Sequence, residues 1–298
     1  MSRRTSTAAL LLAGDEEYWR ASGWHRGDAP VRWGSVSKVL TAGLAHAMVE
    51  RGTWAWDTRV EEVLDSTSPI TVAELVRHRS GLPRTAPGQR RELLDPYRRW
   101  TRERFDHDVL PELDALVDQR RRVVGEYSNL GYAVLTRMLK EVGGPWLEQV
   151  RSTLVEPAGL DPTAFDVARR TGERDDVVEA LSIWGRPLDE WVIGDGPFVG
   201  AAGLVATLDD MAALVRASAD GGLLDPSRQP HAWRVDDGLA VHHGALMRCG
   251  AVVAWRPATG IVGVASAVGG RAAFADRRAA DVLDQLASAA ASEEGEMS

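Results

Sequence analysis

Residues 34–52 read Gly34-Ser35-Val36-Ser37-Lys38-Val39-Leu40-Thr41-Ala42-Gly43-Leu44-Ala45-His46-Ala47-Met48-Val49-Glu50-Arg51-Gly52. Val36, Val39, Leu40, Leu44, Ala47 and Met48 recur at helical spacing, which predicts a mostly buried helix from Val36 to Arg51, stopped by Gly52. Ser35 and Lys38 stand one helical turn apart at its start, so the hydroxyl and the amine share a face and can touch. Serine is a poor nucleophile at its free pKa and needs a base beside it. Lysine can be that base when burial or a neighbouring charge keeps it neutral; arginine cannot. The helix N-terminus adds backbone N–H groups suited to a developing oxyanion, and Gly34 allows a close approach of substrate to the backbone.

Composition bounds the class. The chain has 298 residues, 35 basic and 43 acidic, for a net charge of −8. That length predicts one large domain or two interleaved subdomains, with enough chain for a real core. An acidic balance argues against nucleic-acid binding, which requires a basic face. Arginines cluster at Arg90, Arg91, Arg98, Arg99, Arg102, Arg104 and Arg120 to Arg122, but Asp and Glu interleave with them, so they read as solvated helical surface. Only Lys38 and Lys140 among the 35 basic residues are lysine. Lys140 falls near a helix end, where any cation is favourable. Lys38 falls where the chemistry needs a group that can lose its proton. A chance Ser-x-x-Lys would occur in about a tenth of chains with this serine and lysine content, so the motif needs company.

The single cysteine, Cys249, excludes an internal disulfide framework and reads as a small buried strand residue. No apolar run approaches the roughly 18 residues of a membrane span. Ala8–Ala13 is apolar but short, and no convincing cleavage site follows it. It reads as a first strand, with a cytoplasmic location expected.

Ala8–Ala13, a turn at Gly14-Asp15 and Tyr18–Trp24 predict an opening β-hairpin. Residues 55–165 read as helices and loops: a short helix opened by the Thr71/Glu74 capping box, a helix over Gly131–Val142, and another over Pro145–Glu156. Thr207 caps a helix from Leu208 to about Ala219. Gly238–Met247, Ala251–Trp255 and Ile261–Val268 predict strands, the last two joined by a turn at Pro257–Gly260. A helix over about Phe274–Ala290 and a disordered acidic tail at Glu293–Glu296 follow. The expected fold is α+β. One antiparallel sheet of about five strands from both chain ends (residues 1–54 and 195–298) is flanked by helices, and an all-α subdomain (residues 55–194) is inserted between them.

Further motifs follow in order: Pro69-Ile-Thr-Val-Ala-Glu-Leu-Val-Arg-His78-Arg-Ser-Gly81-Leu-Pro83, Tyr127-Ser128-Asn129, Pro197–Thr207 around Gly200 and Gly203, and His242-His243-Gly244-Ala245. With Ser35-Val-Ser-Lys38 they resemble the serine β-lactamase and penicillin-binding-protein superfamily, in its class C, esterase and DD-peptidase branch. The resemblance runs over nearly the whole chain. It implies an acyl-enzyme on Ser35, with Lys38 and Tyr127 moving the proton and the Ser35 and Ala245 N–H groups forming the oxyanion hole. It gives Asn129 to Lys38 and the substrate carbonyl, and makes the His78 stretch structural. A phenol beside an ammonium can drop its pKa and shuttle a proton, which suits Tyr127.

The third motif departs from the family's Lys-Thr-Gly. His242 takes the cationic position if glycine stays third; a register slip would substitute His243, on the opposite face of the strand. A mostly neutral histidine favours neutral ester or amide substrates over carboxylates, unless Arg248 supplies the charge. Trp184 and Trp191 are candidates for an apolar acyl pocket. No cofactor is expected, and the His pair with Cys249 lacks a further ligand for zinc.

Four readings stand: a serine hydrolase on a small ester or amide, an acyltransferase or cyclase using the same acyl-enzyme, a β-lactamase or D,D-peptidase, and a non-catalytic binding member. Oligomeric state is not set by the sequence.

Overall fold

The computed structural model describes residues 5–89, 95–167, 176–218, 221–228 and 232–296. Its strands are β1 (Ser6–Ala13), β2 (Glu16–Ser22), β3 (Val31–Arg32), β4 (Asp166–Val167), β5 (Leu204–Ala206), β6 (Arg234–Asp236), β7 (Leu239–Ala245), β8 (Cys249–Arg256) and β9 (Ile261–Val268). Its helices are α1 (Ser37–Glu50), α2 (Val72–Val76), α3 (Arg102–Asp108), α4 (Gln119–Val124), α5 (Asn129–Gly143), α6 (Trp146–Val150), α7 (Val199–Ala202), α8 (Leu208–Ala217) and α9 (Ala272–Glu296). The main sheet is antiparallel, in the order β2-β1-β9-β8-β7-β6. The α+β reading with strands from both chain ends agrees with this architecture.

The sheet has six strands among the described residues, where about five were expected. The extra one is the edge strand β6. Asp237 and Gly238 both have positive φ (45° and 70°) and make the two-residue turn that pairs Asp236 with Leu239. An Asp-Gly step is a hairpin signal in its own right. A second small sheet, β3-β5-β4, ties the entry to α1 to the loop before α8.

Along β1, Ala8, Leu10 and Leu12 face the main core, whereas Ala9 and Leu11 face α9 with Ala265, Ala267, Val282 and Leu283. Both faces are covered, so β1 reads as an unbroken apolar run rather than an alternating one. The opposite face of the sheet meets the helical layer, where α7 packs against α1 and α5. Trp33, Leu40, Leu44, Tyr132 and Trp146 lie in that core, each essentially inaccessible.

Capping occurs where the sequence places it. Thr71 and Glu74 close a reciprocal box, Ser128 caps α5 by accepting from Gly131 N, and Thr207 caps α8. The predicted helix over Pro145–Glu156 instead widens after α6 into a π turn at Arg151–Val155 and tightens again at Glu156–Ala158, before Gly159 ends it at positive φ. α9 runs through Glu296, so the acidic end is helical rather than disordered; alanine and glutamate are strong helix formers.

In the Arg-rich stretch, Arg102 and Arg104 lie on α3 and Arg120 to Arg122 on α4, while Arg90 and Arg91 lie outside the described residues, as does Ala219. No helix among the described residues is long and apolar enough to cross a membrane.

Candidate active site

Ser35 sits in a 3-10 turn, Gly34–Val36, that runs directly into α1. Gly34 has φ +50°, and a Cβ there would meet Ala245 N at 2.9 Å. A Cβ on Gly244 would overlap the Trp33 carbonyl oxygen and lie 3.1 Å from Ser35 N. The two glycines therefore let the end of β7 lie directly against the turn that carries Ser35. Leu246 N donates to Cys249 O across the β7–β8 hairpin. Alternation in an antiparallel pair then turns the neighbouring Ala245 N–H away from β8 and toward Gly34 and Ser35. Ser35 N belongs to a first helical turn, where N–H groups have no intrahelical acceptor. The Ser35 and Ala245 N–H groups thus both lie where the end of β7 meets the Ser35 turn. Glu190 holds the hairpin from behind, its carboxylate accepting from Met247 N and Arg248 N at 2.7 Å each.

Lys38 is completely buried. Its Nζ donates to Ala201 O at 2.6 Å and lies 3.2 Å from Ser35 Oγ. Burial, and secondarily the charge of Arg84, hold its pKa well below the ordinary lysine value. In its neutral form the amine can accept the Ser35 proton. The Ala201 carbonyl is supplied by α7, inside the Pro197–Thr207 loop expected beside the site. A backbone acceptor leaves no side-chain signature, so the sequence could place the loop but not the bond.

Tyr127 hydrogen-bonds Ser35, and its ring lies 4.9 Å from Lys38 Nζ. The expected drop in its pKa does not occur. Burial pushes the phenol up to about 12, against smaller downward effects of Ser35 and Arg84. Removal of the phenol from water outweighs what nearby positive charge supplies. Tyr127 is a protonated hydroxyl that can pass a proton along, not a phenolate base.

His78, at positive φ (55°), stacks its ring 4.5 Å from that of Tyr127 and accepts from Ser128 N at Nδ1 (3.0 Å). Burial lowers its pKa to about 3. It braces the tyrosine motif, as the structural reading of its stretch expects.

Asn129 departs from expectation. Its side chain bonds the Tyr97 hydroxyl, and its Oδ1 is buried without a partner, so it does not orient Lys38. Lys38 is already engaged by Ala201 O. The open Oδ1 is an acceptor that an incoming N–H could satisfy.

The structure brings His242, not His243, to Ser35. The His242 ring is buried, bonded to Ala232 O (2.9 Å) through Nδ1 and to the Ser35 backbone. Desolvation, reinforced by Lys38, lowers its pKa to about 4, so it is neutral at pH 7. Alternation sends His243 to the other face, where Nδ1 meets Asp276 Oδ1 of α9 at 3.0 Å and its pKa rises.

Trp184 does not line a pocket: it is 83% exposed at the tip of a turn closed by Ser182 N to Arg186 O. Trp191 packs edge-on against Tyr97 (5.6 Å), one residue removed from Asn129. Arg248 Nε is taken up by Asp189 O. Cys249 is a buried strand residue with its thiol pKa raised by burial. A cavity of about 510 Å³ opens beside the serine, lined by His78, Tyr127, Trp233, Leu239, Val241 and His242 among others.

Penicillin-binding protein 4 of Amycolatopsis lactamdurans is 28% identical over 172 residues, which is 51% of this chain and 42% of that protein, so less than half of that relative's length is matched. A penicillin-binding protein from Bacillus halodurans superposes with TM-score 0.70 at 18% identity, covering 93% of this chain and 95% of that one. A class C beta lactamase from Rhodobacter sphaeroides gives 0.67 at 18%, covering 94% of each. A D-stereospecific amidohydrolase from Streptomyces sp. gives 0.62 at 18%, covering 88% and 86%. At such identities these structures show a shared fold. The family model described as Beta-lactamase matches residues 1–287, nearly the whole chain, and on that match the chain belongs to the beta-lactamase family.

Proposed function

We propose that this protein is a serine hydrolase that cleaves a small ester or amide through an acyl-enzyme on Ser35. The observation that carries the reading is a fully buried amine, Lys38 Nζ, 3.2 Å from Ser35 Oγ and driven toward neutrality. Ser35 Oγ attacks the carbonyl carbon as Lys38 takes its proton. The carbonyl oxygen becomes an oxyanion held by the Ser35 and Ala245 N–H groups. The C–O or C–N bond then breaks as the Tyr127 hydroxyl gives a proton to the leaving group and receives one from Lys38. Water repeats the sequence on the acyl carbonyl and restores Ser35.

Support comes also from the similar proteins, which are penicillin-binding proteins, a beta lactamase and an amidohydrolase. At β7 the neutral His242 offers no fixed charge, which sets this site apart from one built to hold a carboxylate there. The test is intact mass spectrometry after exposure to a fluorophosphonate, a set of p-nitrophenyl esters and a penicillin. A covalent adduct on the wild type and none on Ser35→Ala is expected. Absence of any adduct or turnover with all three would overturn the reading in favour of a binding role. Added amine acceptors diverting the acyl group from water would make it a transferase.

A further inference from the structure

The loop after Gly81-Leu82-Pro83 carries Arg84 to the tyrosine that bonds Ser35. Its backbone is fixed there: Arg84 O accepts from Asn129 N (3.0 Å) and Leu130 N (3.4 Å), and Ser128 Oγ donates to Pro83 O (2.7 Å). The guanidinium carbon stands 5.0 Å from the Tyr127 ring centroid. Nearby arginines are matched with carboxylates: Arg121 with Glu126, Arg122 with Glu74, Arg137 with Asp106 and Glu141. Arg84 has no carboxylate in ion-pair range among the described residues, and its side chain is exposed. It borders a cavity of about 460 Å³, shared with Pro83, Thr85, Ala86, Arg121 and Glu126, the last paired with Arg121.

Of the other basic groups, Arg234 lines the cavity beside the serine from the β6 side and keeps its charge there. Lys38 and His242 are held toward neutrality by burial, and Arg248 is engaged by Asp189 O. A guanidinium stays charged throughout, and its planar fork matches a carboxylate. Stacking on Tyr127 fixes its direction without consuming that charge.

We propose that Arg84 is the anion-recognising residue of this site, pairing with a carboxylate on the substrate while the ester or amide carbonyl lies at Ser35. This rests on the assignment of Ser35 as nucleophile. It extends that assignment by naming the substrate class, acidic esters or amides whose carboxylate is read from the Tyr127 side and not from β7. Because Arg84 reaches Ser35 through a single side chain, carboxylate pairing and placement of the reacting group are linked.

Mono-p-nitrophenyl adipate and p-nitrophenyl hexanoate share acyl length and leaving group and differ in the terminal carboxylate. Their kcat/KM ratio is measured for the wild type, Arg84→Gln and Arg84→Lys, at low and high salt. The adipate-to-hexanoate ratio should fall about tenfold in Arg84→Gln, recover in large part in Arg84→Lys, and shrink with salt for the wild type. A ratio removes any loss common to both esters through Tyr127. In parallel, calorimetry with the Ser35→Ala protein, with and without Arg84→Gln, reads the same preference without turnover. Preference for the adipate ester there, with no acylation of the wild type, would sink the hydrolase reading and leave Arg84 standing. An unchanged ratio, an equal loss for both esters, or no preference in either assay overturns the Arg84 proposal.

Discussion

Replacing Lys38 by arginine makes the positive charge permanent and removes the capacity to lose a proton, so it separates the two things a lysine could do at this position. In the structure Nζ is fully buried, bonded to Ala201 O at 2.6 Å and placed 3.2 Å from Ser35 Oγ. A guanidinium there can only donate. It would accept nothing from Ser35 and would bury a permanent charge without a carboxylate beside it. Loss of a positioned general base costs about 10²- to 10⁴-fold, so acylation should fall about a thousandfold. The assay is the pre-steady-state release of p-nitrophenol, checked by the rate of fluorophosphonate labelling.

A folding defect is controlled by Lys38→Met, which fits the same volume without charge or base. It should lose acylation to a similar degree yet melt higher than the wild type. The sign follows from linkage. The folded pKa of Lys38 lies below its unfolded value, so below the unfolded pKa the unfolded chain binds more protons than the native one. The native state is penalised there, and stability rises with pH across that window. Methionine removes the penalty, raising Tm by about 2–4 °C per kcal/mol relieved. The wild-type acylation rate should fall as the pH drops through the lowered pKa of Lys38, which takes up a proton there. An Arg variant acylating within about tenfold of the wild type would refute general-base action by Lys38.

Gly244→Ala should lose activity about a hundredfold or more and lower Tm, because its Cβ overlaps the Trp33 carbonyl; overpacking costs about 1–3 kcal/mol. Unaltered kinetics would show that β7 does not form the oxyanion side. The two histidines should separate cleanly. His242→Ala should reduce kcat/KM, while His243→Ala should stay within about twofold and lose only a surface pair worth under about 1 kcal/mol. The reverse ranking would mean that the strand register is wrong. His25, His78 and His242 have pKa values lowered to about 4, 3 and 4 from 6.5. The unfolded chain therefore binds more protons below about pH 6.5, and Tm should decline progressively from there toward pH 4. His242→Gln should flatten part of that decline; a melting temperature independent of pH over the range would contradict burial of these rings.

Sequence alone determined the parts of this protein that depend on neighbours along the chain. The Ser35–Lys38 spacing, the caps at Thr71, Ser128 and Thr207, the opening hairpin and the closing strands are set by interactions within about a turn or a pair of residues. The scarcity of lysine marked Lys38 as well, since of the two long basic residues only lysine can lose its proton. Legibility ended where the determinant is a backbone atom or an environment. Ala201 O holds Lys38 from a distant loop, and no side chain announces it.

The pKa of Tyr127 was read the wrong way because a pattern shows a cation nearby but not how much water has been removed from both groups. Trp184 looked like an apolar-pocket residue by composition and stands at a turn tip, because burial belongs to the whole fold. The choice between His242 and His243 was open in sequence and fixed by which face of β7 the sheet presents to α9. Asn129, expected at Lys38, went to Tyr97 instead. Local order is written in local residues; desolvation, facing and the free charge on Arg84 exist only once distant segments have packed together.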